Sequence, residues 1–310
     1  MKLIEDTYKD HENYAIHYYK WVPEVPIKGI IQISHGMAET AIRYERFAEF
    51  LTEEGYIVYA NDHRGHGKTA GIIENIGYLG ENDGFQLLVD DMHELTTIIK
   101  NENPNVLFFL FGHSMGSFLC QRYVQLYGNE INGVILSGTN GKQGFILNLG
   151  IIISRIEIIL NGRKSRSIIL NNMSFGGYNK NFKPTRTEFD WLSRDTYEVD
   201  KYINDKFCGG IFTASFFHDL FNGLKKIEKL SSIASIPKNL PFYIFSGTID
   251  PVGNFTKGVL KLIDTYEKQG MKDITYKFYP DGRHEMLHEL NYMDVIKDTI
   301  KWLNSKCRME

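Results

Sequence analysis

The sequence is short of cysteine and of long apolar runs. Its three cysteines, Cys120, Cys208 and Cys307, lie far apart without C-x-x-C spacing, which indicates reduced thiols that serve packing in a cytoplasmic protein. The longest apolar stretch, residues 144–154, is about half of the ~20 residues that a helix needs to cross a bilayer. The opening segment MKLIEDTYKDHENYAIHYY lacks the apolar region of a secretory signal. We therefore expect a cytoplasmic protein without a membrane-spanning helix.

An excess of charge of one sign is also missing. The chain carries 35 Lys and Arg against 38 Asp and Glu, a formal net charge of −3, and the two signs are interspersed. No basic block suggests a nucleic-acid partner, and no acidic tail suggests disorder. Repeats and low-complexity segments are not visible, which argues against a repeat protein. The composition, 43% hydrophobic and 24% charged among 310 residues, is typical of a soluble globular protein with a sizeable core.

Short apolar runs alternate with helical patterns through most of the chain. Six runs are nearly continuous in apolar residues, as strands buried on both faces of a parallel sheet are. They are residues 29–36, 56–62, 106–114, 132–138, 241–247 and 274–280. Between them apolar residues recur at helical spacing, as at Leu88, Met92 and Leu95. The alternation predicts an α/β fold with a doubly wound, mostly parallel sheet. The segment NYAIHYYKWVP predicts an extra antiparallel strand at the edge.

The alternation breaks between residues 140 and 237. This part has mixed apolar and helical character, as in FILNLGIIISRIEIIL, and no clear strand rhythm. We interpret it as a helical insertion over the carboxyl ends of the core strands. The expected division is a first core part at residues 1–139, the insertion at 140–237 and a second core part at 238–310.

The strongest chemical signal is the motif Gly112-His113-Ser114-Met115-Gly116. It matches G-x-S-x-G and lies between an apolar run and a helical pattern, where that motif requires a sharp strand-to-helix turn. Glycines two residues on either side allow the close backbone approach that the turn needs, and the following helix N-terminus favours developing negative charge. An ordinary glycine-rich turn is the alternative, but the context favours Ser114 as a nucleophile.

A serine nucleophile needs a base, an orienting acid and two N–H donors for the oxyanion. In proteins with this motif the catalytic residues follow one another along the chain in the order serine, acid and histidine, each after a later strand. Asp250 directly follows the fifth apolar run and His284 follows the sixth, so both obey the order. The candidate oxyanion donors are the backbone N–H groups of Met115 and of Met37, which follows His35-Gly36.

His284 also opens the sequence HEMLH, which satisfies the H-E-x-x-H pattern of zinc proteases. Pro280 and Gly282 precede it and indicate a loop, whereas zinc histidines of this pattern lie one turn apart in a helix. The third histidine of the longer zinc pattern is missing. We therefore assign His284 to catalysis, expect no metal, and expect His288 to lie at the surface or to support the site.

The segment NDHRGHGKT contains Asp62, His63 and His66, which could be taken for metal ligands. Their spacing matches no metal site and no supporting residues are evident. We favour a glycine-rich loop at a strand end in which Arg64 takes part in local hydrogen bonds.

The segments HGMAE, DHRGHGKT, GHSMG, the Asp250 loop and PDGRHEMLHE together resemble the α/β-hydrolase superfamily, and more closely the serine hydrolases that include monoacylglycerol lipases and lysophospholipases. The resemblance covers nearly the full chain and is weak in the insertion. It implies the α/β-hydrolase fold, a lid (cap) at residues 140–237, and hydrolysis of a carboxylic ester through an acyl-enzyme without a cofactor. Ser114 resembles the nucleophile of the family, Asp250 the acid, His284 the base, and Met37 and Met115 the oxyanion donors.

Two positions depart from that family pattern. Ser117 stands where many relatives have glycine, and HGMAE stands where monoacylglycerol lipases usually have HGAGE. The oxyanion donor is a backbone group, so Met37 need not harm catalysis, but its bulk would reshape the acyl or alcohol pocket.

The leading hypothesis is a cytoplasmic serine ester hydrolase that acts on a lipid-like or medium-chain acyl ester. It expects a small-molecule substrate, no nucleic acid, and at most peripheral membrane contact through the lid. A greasy pocket would be lined by apolar residues of the insertion, unless these only pack its own helices; they are Phe145, Leu147, Ile151, Ile152, Ile153, Phe212, Phe216 and Phe217.

Two alternatives stay open. An aminopeptidase or amidase on the same scaffold would need carboxylates of the insertion to hold a substrate amine, and those available are Glu157, Glu188, Asp190 and Asp195. A non-catalytic small-molecule receptor would keep the fold without the chemistry, which a complete set of catalytic residues argues against.

Overall fold

One eight-stranded sheet forms the centre of the chain, and the computed structural model describes residues 1–307. The strands are β1 (Lys2–Lys9), β2 (Ala15–Val22), β3 (Gly29–Ser34), β4 (Tyr56–Asn61), β5 (Phe108–His113), β6 (Gly133–Ser137), β7 (Phe242–Gly247) and β8 (Ile274–Tyr279). Across the sheet they follow the order β1-β2-β4-β3-β5-β6-β7-β8. The β1–β2 and β2–β4 pairs are antiparallel and all other pairs are parallel. The predicted mostly parallel α/β sheet is confirmed.

The central strands are buried on both faces, as their continuous apolar runs predict. Every residue of β3, β4, β5, β6 and β7 is buried. Strand β8 differs, because it pairs with β7 alone and lies at the end of the sheet. Its central residues are exposed, with Tyr276 at 49%, so the expectation of a strand buried on both faces was wrong there.

The predicted extra antiparallel strand is β2, but it is not the edge of the sheet. It pairs with β4 on one side and with β1 on the other, in a register that places Tyr8 opposite Ile16. Strand β1 is the edge, and it was missed because most of its side chains are exposed and polar. A strand with one exposed face and an irregular apolar pattern gives a weak signal.

Helices cover both faces of the sheet and build two apolar cores. The α-helices of the core are α1 (Glu45–Glu53), α2 (Gly67–Ala70), α3 (Gly84–Glu102), α4 (Met115–Tyr127), α10 (Lys257–Lys268) and α11 (Tyr292–Lys306). Helices α1 and α11 pack on one face around Phe47, Phe111 and Trp302, and α3, α4 and α10 pack on the other around Met92 and Tyr266.

Five helices lie between β6 and β7, and no β-strand occurs in that part of the described chain. They are α5 (Ile146–Asn161), α6 (Ile168–Phe175), α7 (Thr196–Asn204), α8 (Ala214–Ile227) and α9 (Leu230–Ala234). Helix α5 packs closely on α8, because a Cβ atom on Gly150 would lie 2.6 Å from the ring of Phe221. None of the helices in residues 1–307 is long and apolar enough to span a membrane.

Candidate active site

Ser114 stands at a strained turn between β5 and α4. Its φ and ψ angles are 52° and −120°, a conformation that a non-glycine residue adopts at a cost. The turn brings its backbone against the end of β3, since a Cβ atom on Gly116 would lie 2.0 Å from the Ser34 carbonyl oxygen. A Cβ atom on Gly112 would lie 2.4 Å from the Gly116 carbonyl oxygen. A side chain at either glycine of the motif would therefore clash with a backbone carbonyl oxygen.

Asp250 and His284 are brought together at the carboxyl ends of β7 and β8. The His284 Nδ1 atom lies 3.0 Å from each carboxylate oxygen of Asp250, and both side chains are almost fully buried. The Val252 N–H donates to Asp250 Oδ1 at 2.9 Å and fixes the carboxylate. Burial opposes protonation of His284, but the charge and hydrogen bond of Asp250 outweigh it and raise the pKa above its usual 6.5.

Ser114 and His284 line the same cavity. The Ser114 N–H donates to the Ser137 carbonyl at 2.9 Å, and the next residue, Gly138, packs against the imidazole. A Cβ atom there would lie 2.8 Å from His284 Cε1. The His284 Nε2 atom is buried and makes no hydrogen bond within the described residues. The second ring nitrogen is therefore available for a proton.

Of the two candidate oxyanion donors, Met115 directly follows Ser114 and Met37 directly follows Gly36, which contacts the serine. Gly36 packs on the serine, since its Cβ atom would lie 3.2 Å from Ser114 Cβ. Neither the Met37 N–H nor the Met115 N–H donates a hydrogen bond within residues 1–307. Both backbone donors are thus left for a ligand.

Two cavities meet at Ser114, and both also touch Met37 and Phe175. The first cavity, of about 420 Å³, combines polar side chains, among them Asn171, Asn172 and Asn179, with aromatic side chains, among them Trp191 and Tyr202. The second cavity, of about 440 Å³, has more apolar side chains, but polar residues line it as well; the apolar ones include Phe118, Leu147, Met173, Leu220, Phe221 and Leu224, and the polar ones include Asn140, Lys142 and Lys261. The serine therefore lies between two cavities of mixed lining, of which the second contains more apolar side chains.

The apolar residues expected to form a greasy pocket are placed differently. Of the eight, Leu147 lines the second cavity, whereas Phe212, Phe216 and Phe217 are fully buried in the core and Phe145 is 81% exposed. Packing was the correct interpretation for these three phenylalanines, whereas Phe145 and Ile152 are exposed. Hydropathy could not separate the two outcomes, because lining and packing residues are equally apolar.

The two histidines of the HEMLH segment make separate contacts. His284 contacts Asp250, whereas His288 Nε2 donates to the Arg43 carbonyl at 3.2 Å. His288 is 7% exposed, so its expected place at the surface was wrong and its supporting role remains. Burial lowers its pKa to about 3. No group of three or more metal-ligating side chains occurs within the described residues.

Hydrogen bonds hold the NDHRGHGKT loop, but those of the Arg64 side chain are not local as expected. Arg64 Nε donates to Asp91 Oδ2 on α3 at 2.9 Å, 27 residues along the chain, whereas His66 Nδ1 donates to the nearby Arg64 carbonyl at 2.9 Å. His63 contacts Ser34 Oγ through Nε2 at 2.9 Å. Burial lowers the pKa of His66 to about 3, so the ring stays neutral.

Sequence reasoning missed an anchored segment, residues 190–195, that supports the histidine loop. The Glu285 N–H donates to the Leu192 carbonyl at 2.8 Å, and Ser193 Oγ donates to the His288 carbonyl at 2.8 Å. The Trp191 ring lies 5.1 Å from the His284 ring. The segment carries no motif, so its single tryptophan is the one sequence feature that could have indicated a packed position.

Also missed was a buried ionic contact among Glu39, Arg43 and Glu285. Arg43 donates to both carboxylates at 2.6–2.7 Å. Glu285 was considered only as part of the zinc pattern, and the separation of 242 residues from Arg43 hid the pair.

The family model described as serine aminopeptidase, S33, matches residues 25–291. A monoacylglycerol lipase of Mycolicibacterium smegmatis is 27% identical over 98% of this chain and 99% of its own. A probable lysophospholipase L2 of Haemophilus influenzae is 32% identical over 91% of this chain and 86% of its own. The structure of a thermostable carboxyl esterase from Bacillus coagulans superposes with a TM-score of 0.92, at 26% identity and 99% coverage of both chains. The chain therefore belongs to the serine aminopeptidase S33 family of α/β-hydrolases and is a hydrolase related to monoacylglycerol lipases and lysophospholipases.

Proposed function

We propose that this hydrolase cleaves carboxylic esters that join a lipid-like acyl chain to a small polar alcohol, through Ser114, His284 and Asp250. The observation that carries the proposal is the position of Ser114 between two cavities, the second richer in apolar side chains and the first shared with His284, which contacts Asp250. The names of the monoacylglycerol lipase and lysophospholipase relatives support the same substrate class.

In this mechanism Ser114 Oγ attacks the ester carbonyl while His284 Nε2 takes the hydroxyl proton. Asp250 holds the Nδ1–H tautomer and stabilises the imidazolium. The Met37 and Met115 N–H groups donate to the tetrahedral oxyanion. His284 then protonates the leaving alcohol, and a water activated by the same nitrogen releases the acid from the acyl-enzyme.

We assign one end of the substrate to each cavity. The second cavity would take the acyl chain, since an alkyl group gains by leaving water for apolar walls. The first cavity would take the alcohol, because its asparagine amides offer both hydrogen-bond donors and acceptors. The Asn179 Oδ1 atom is buried and has no hydrogen-bond partner within the described residues, as expected of an acceptor reserved for a ligand hydroxyl.

Labelling with a fluorophosphonate tests the nucleophile. The wild-type chain is expected to react and Ser114→Ala is expected not to react, with both proteins folded by circular dichroism. Equal labelling of the two proteins would refute the assignment. Absence of labelling in both would favour the non-catalytic receptor.

A panel of p-nitrophenyl esters of increasing chain length, assayed beside aminoacyl anilides, tests the substrate class. Turnover of esters with a preference for medium or long chains is expected. Faster turnover of anilides would support the second candidate, an aminopeptidase, which the family description suggests. Of the four carboxylates available to hold an amine, Glu188 alone lines either cavity.

The helices between β6 and β7 would act as a lid, with residues 140–237 as its extent. Their outer surface carries an apolar face on α5 and α6 whose members are at least 50% exposed; they are Ile146, Ile152, Ile156, Ile159, Leu160, Ile168 and Ile169. Residues 142–166 contain five Lys and Arg and one acidic residue. Apolar side chains flanked by positive charge suit an anionic lipid surface.

This peripheral contact would place the second cavity near its substrate, since Ile146 belongs both to the apolar face and to the cavity wall. Flotation with phosphatidylglycerol vesicles is expected to carry the protein upward, and phosphatidylcholine vesicles to carry less. No binding to either vesicle would remove the membrane part of the proposal and leave the ester chemistry in place.

A further inference from the structure

Two loops that carry the proposed catalytic groups come from separate parts of the sheet. The oxyanion loop, residues 35–39, follows β3, and the histidine loop, residues 280–289, follows β8. Three strands, β5, β6 and β7, lie between β3 and β8. Strand pairing therefore does not link the two loops directly. Their separation matters, because oxyanion donors act only at hydrogen-bond distance from the reacting atom.

One guanidinium connects these loops. Arg43 Nη1 donates to Glu39 Oε2 at 2.7 Å and to Glu285 Oε1 at 2.7 Å, and Arg43 Nη2 donates to Glu285 Oε2 at 2.6 Å. The three side chains are 10%, 3% and 5% exposed. The Arg43 guanidinium also lies 4.9 Å from the centre of the Tyr202 ring. Its bidentate hydrogen bonding to Glu285 fixes the orientation of the two side chains as well as their distance.

We propose that Arg43, held between Glu39 and Glu285, is a positioning residue that sets the oxyanion loop and the histidine loop at one fixed separation. The inference rests on the proposed ester hydrolysis at Ser114. It adds three residues that act through others and do not touch the substrate carbonyl.

Each carboxylate leads to a catalytic group within a few atoms. Glu39 Oε1 accepts the Gly36 N–H at 2.5 Å and the Tyr44 hydroxyl at 2.9 Å, so it closes the turn that presents the Met37 N–H. Glu285 directly follows His284 in the chain. A shift of the guanidinium would therefore reach both loops together.

The charge of this group also acts on the histidine. Two carboxylates and one guanidinium sum to one negative charge beside the imidazole. Asp250 has the largest favourable effect on the pKa of His284, and Glu285 and Glu39 raise it further. Burial opposes ionisation of Glu285, but Arg43 outweighs it and holds its pKa below the usual range. Buried ionic groups add little stability over apolar packing, which leaves position and charge as their main contribution.

Arg43→Lys tests position while keeping the charge, because an ammonium cannot bind two carboxylates through a planar fork. We expect the fluorophosphonate labelling rate of Ser114 and kcat/KM for a short p-nitrophenyl ester to fall together, by about 10²-fold. The matched control is Arg64→Lys, which weakens a buried Arg–Asp contact outside the site. It should lower the Tm and leave both rates unchanged. A lower Tm with unchanged rates for Arg43→Lys would overturn the inference.

Glu285→Gln tests charge while keeping most of the shape. We expect the pKa of His284, followed by ¹⁵N NMR of the imidazole, to fall, and the acidic limb of kcat/KM to move to lower pH. An unchanged His284 titration would refute the electrostatic part. Neither the NMR titration nor the labelling rate needs ester turnover. A wild type that labels without hydrolysing esters would defeat the proposed substrate class and still allow Arg43 to be judged.

Discussion

The region between β6 and β7 contains two parts of opposite character. The anchored segment is tied to the histidine loop: the Arg194 guanidinium contacts Glu289 at 2.8 Å, and Arg283 Nη1 donates to the Ser193 carbonyl at 3.0 Å. The apolar face of α5 and α6 instead presents side chains to solvent, with Ile159 and Leu160 each 73% exposed. One inserted region thus contacts the histidine loop at one end and solvent at the other.

The largest expected effect comes from removing the large buried side chain of the anchored segment, that of Trp191. Trp191 is 8% exposed and packs against Phe175 and Tyr178 as well as His284. Trp191→Ala should lower the free energy of unfolding by about 3–5 kcal/mol, the usual cost of a large buried cavity, and lower kcat/KM. Urea unfolding and ester kinetics measure both. A loss below about 1 kcal/mol would show that the anchored segment is not an anchor.

The pH dependence of kcat/KM tests the charge around His284 separately from the packing of the anchored segment. The groups that raise the pKa of His284 are Asp250, Glu285 and Glu39, and none belongs to the anchored segment. Because the base must be neutral, kcat/KM should fall tenfold per pH unit below a midpoint above 6.5. In Asp250→Asn the midpoint should move below that of wild type. A wild-type midpoint at or below the ordinary value would contradict the raised pKa.

The raised pKa of His284 also makes the free energy of unfolding depend on pH, in the opposite direction to kcat/KM. A raised folded-state pKa means that the protonated His284–Asp250 pair stabilises the native state. That stabilisation is fully present below the unfolded value near 6.5 and is lost as the pH rises through the folded-state pKa. Subtracting the stability curve of Asp250→Asn from that of wild type should show this decline, and a difference that grows with pH would exclude it.

A narrower second cavity should change substrate choice with little effect on the anchor. Leu220 lies on α8 and lines this cavity. Leu220→Trp should shift the ester preference toward short chains, by about tenfold in the ratio of kcat/KM between long and short esters. The control is Leu260→Trp, on an exposed face of α10. An unchanged chain-length profile would move the acyl group out of the second cavity.

The smallest effect in solution is expected from the apolar face. Ile159→Ser should change stability by less than about 0.5 kcal/mol and leave turnover of a soluble short ester unaltered. Binding to phosphatidylglycerol vesicles should weaken, whereas Ile27→Ser, exposed before β3 at 51%, should bind as wild type does. If both serine variants bind equally well, the apolar face does not meet lipid.

Much of the fold could be predicted from the sequence, because central strands and amphipathic helices carry periodic apolar patterns. The prediction was incomplete at the two ends of the sheet. Strand β1 was missed, and β8 was placed correctly but is exposed at its centre where burial was expected. A strand at the end of a sheet has one neighbour, and its side chains need not be apolar on both faces.

For the candidate site, residues with local sequence signals could be predicted, whereas contacts between distant parts of the chain could not. Ser114, Asp250 and His284 could be placed together because turn chemistry and chain order are local properties of the sequence; their catalytic roles stay predictions. Arg43 and Glu285 could not be paired, since nothing in either local segment signals a partner 242 residues away along the chain. Cavity walls were equally hidden, because the apolar patterning of α8 is the same whether Phe217 packs or Leu220 lines a space.

The meeting of two cavities at one serine has a consequence for inhibitor design. A carbamate or phosphonate that reacts with Ser114 could carry an alkyl arm for the space beside Phe221 and a compact hydroxylated arm for the space beside Asn179. Each arm would be recognised by different walls, so the two could be optimised separately. Selectivity among serine hydrolases would then come from the pairing of the arms, with the reactive group held constant.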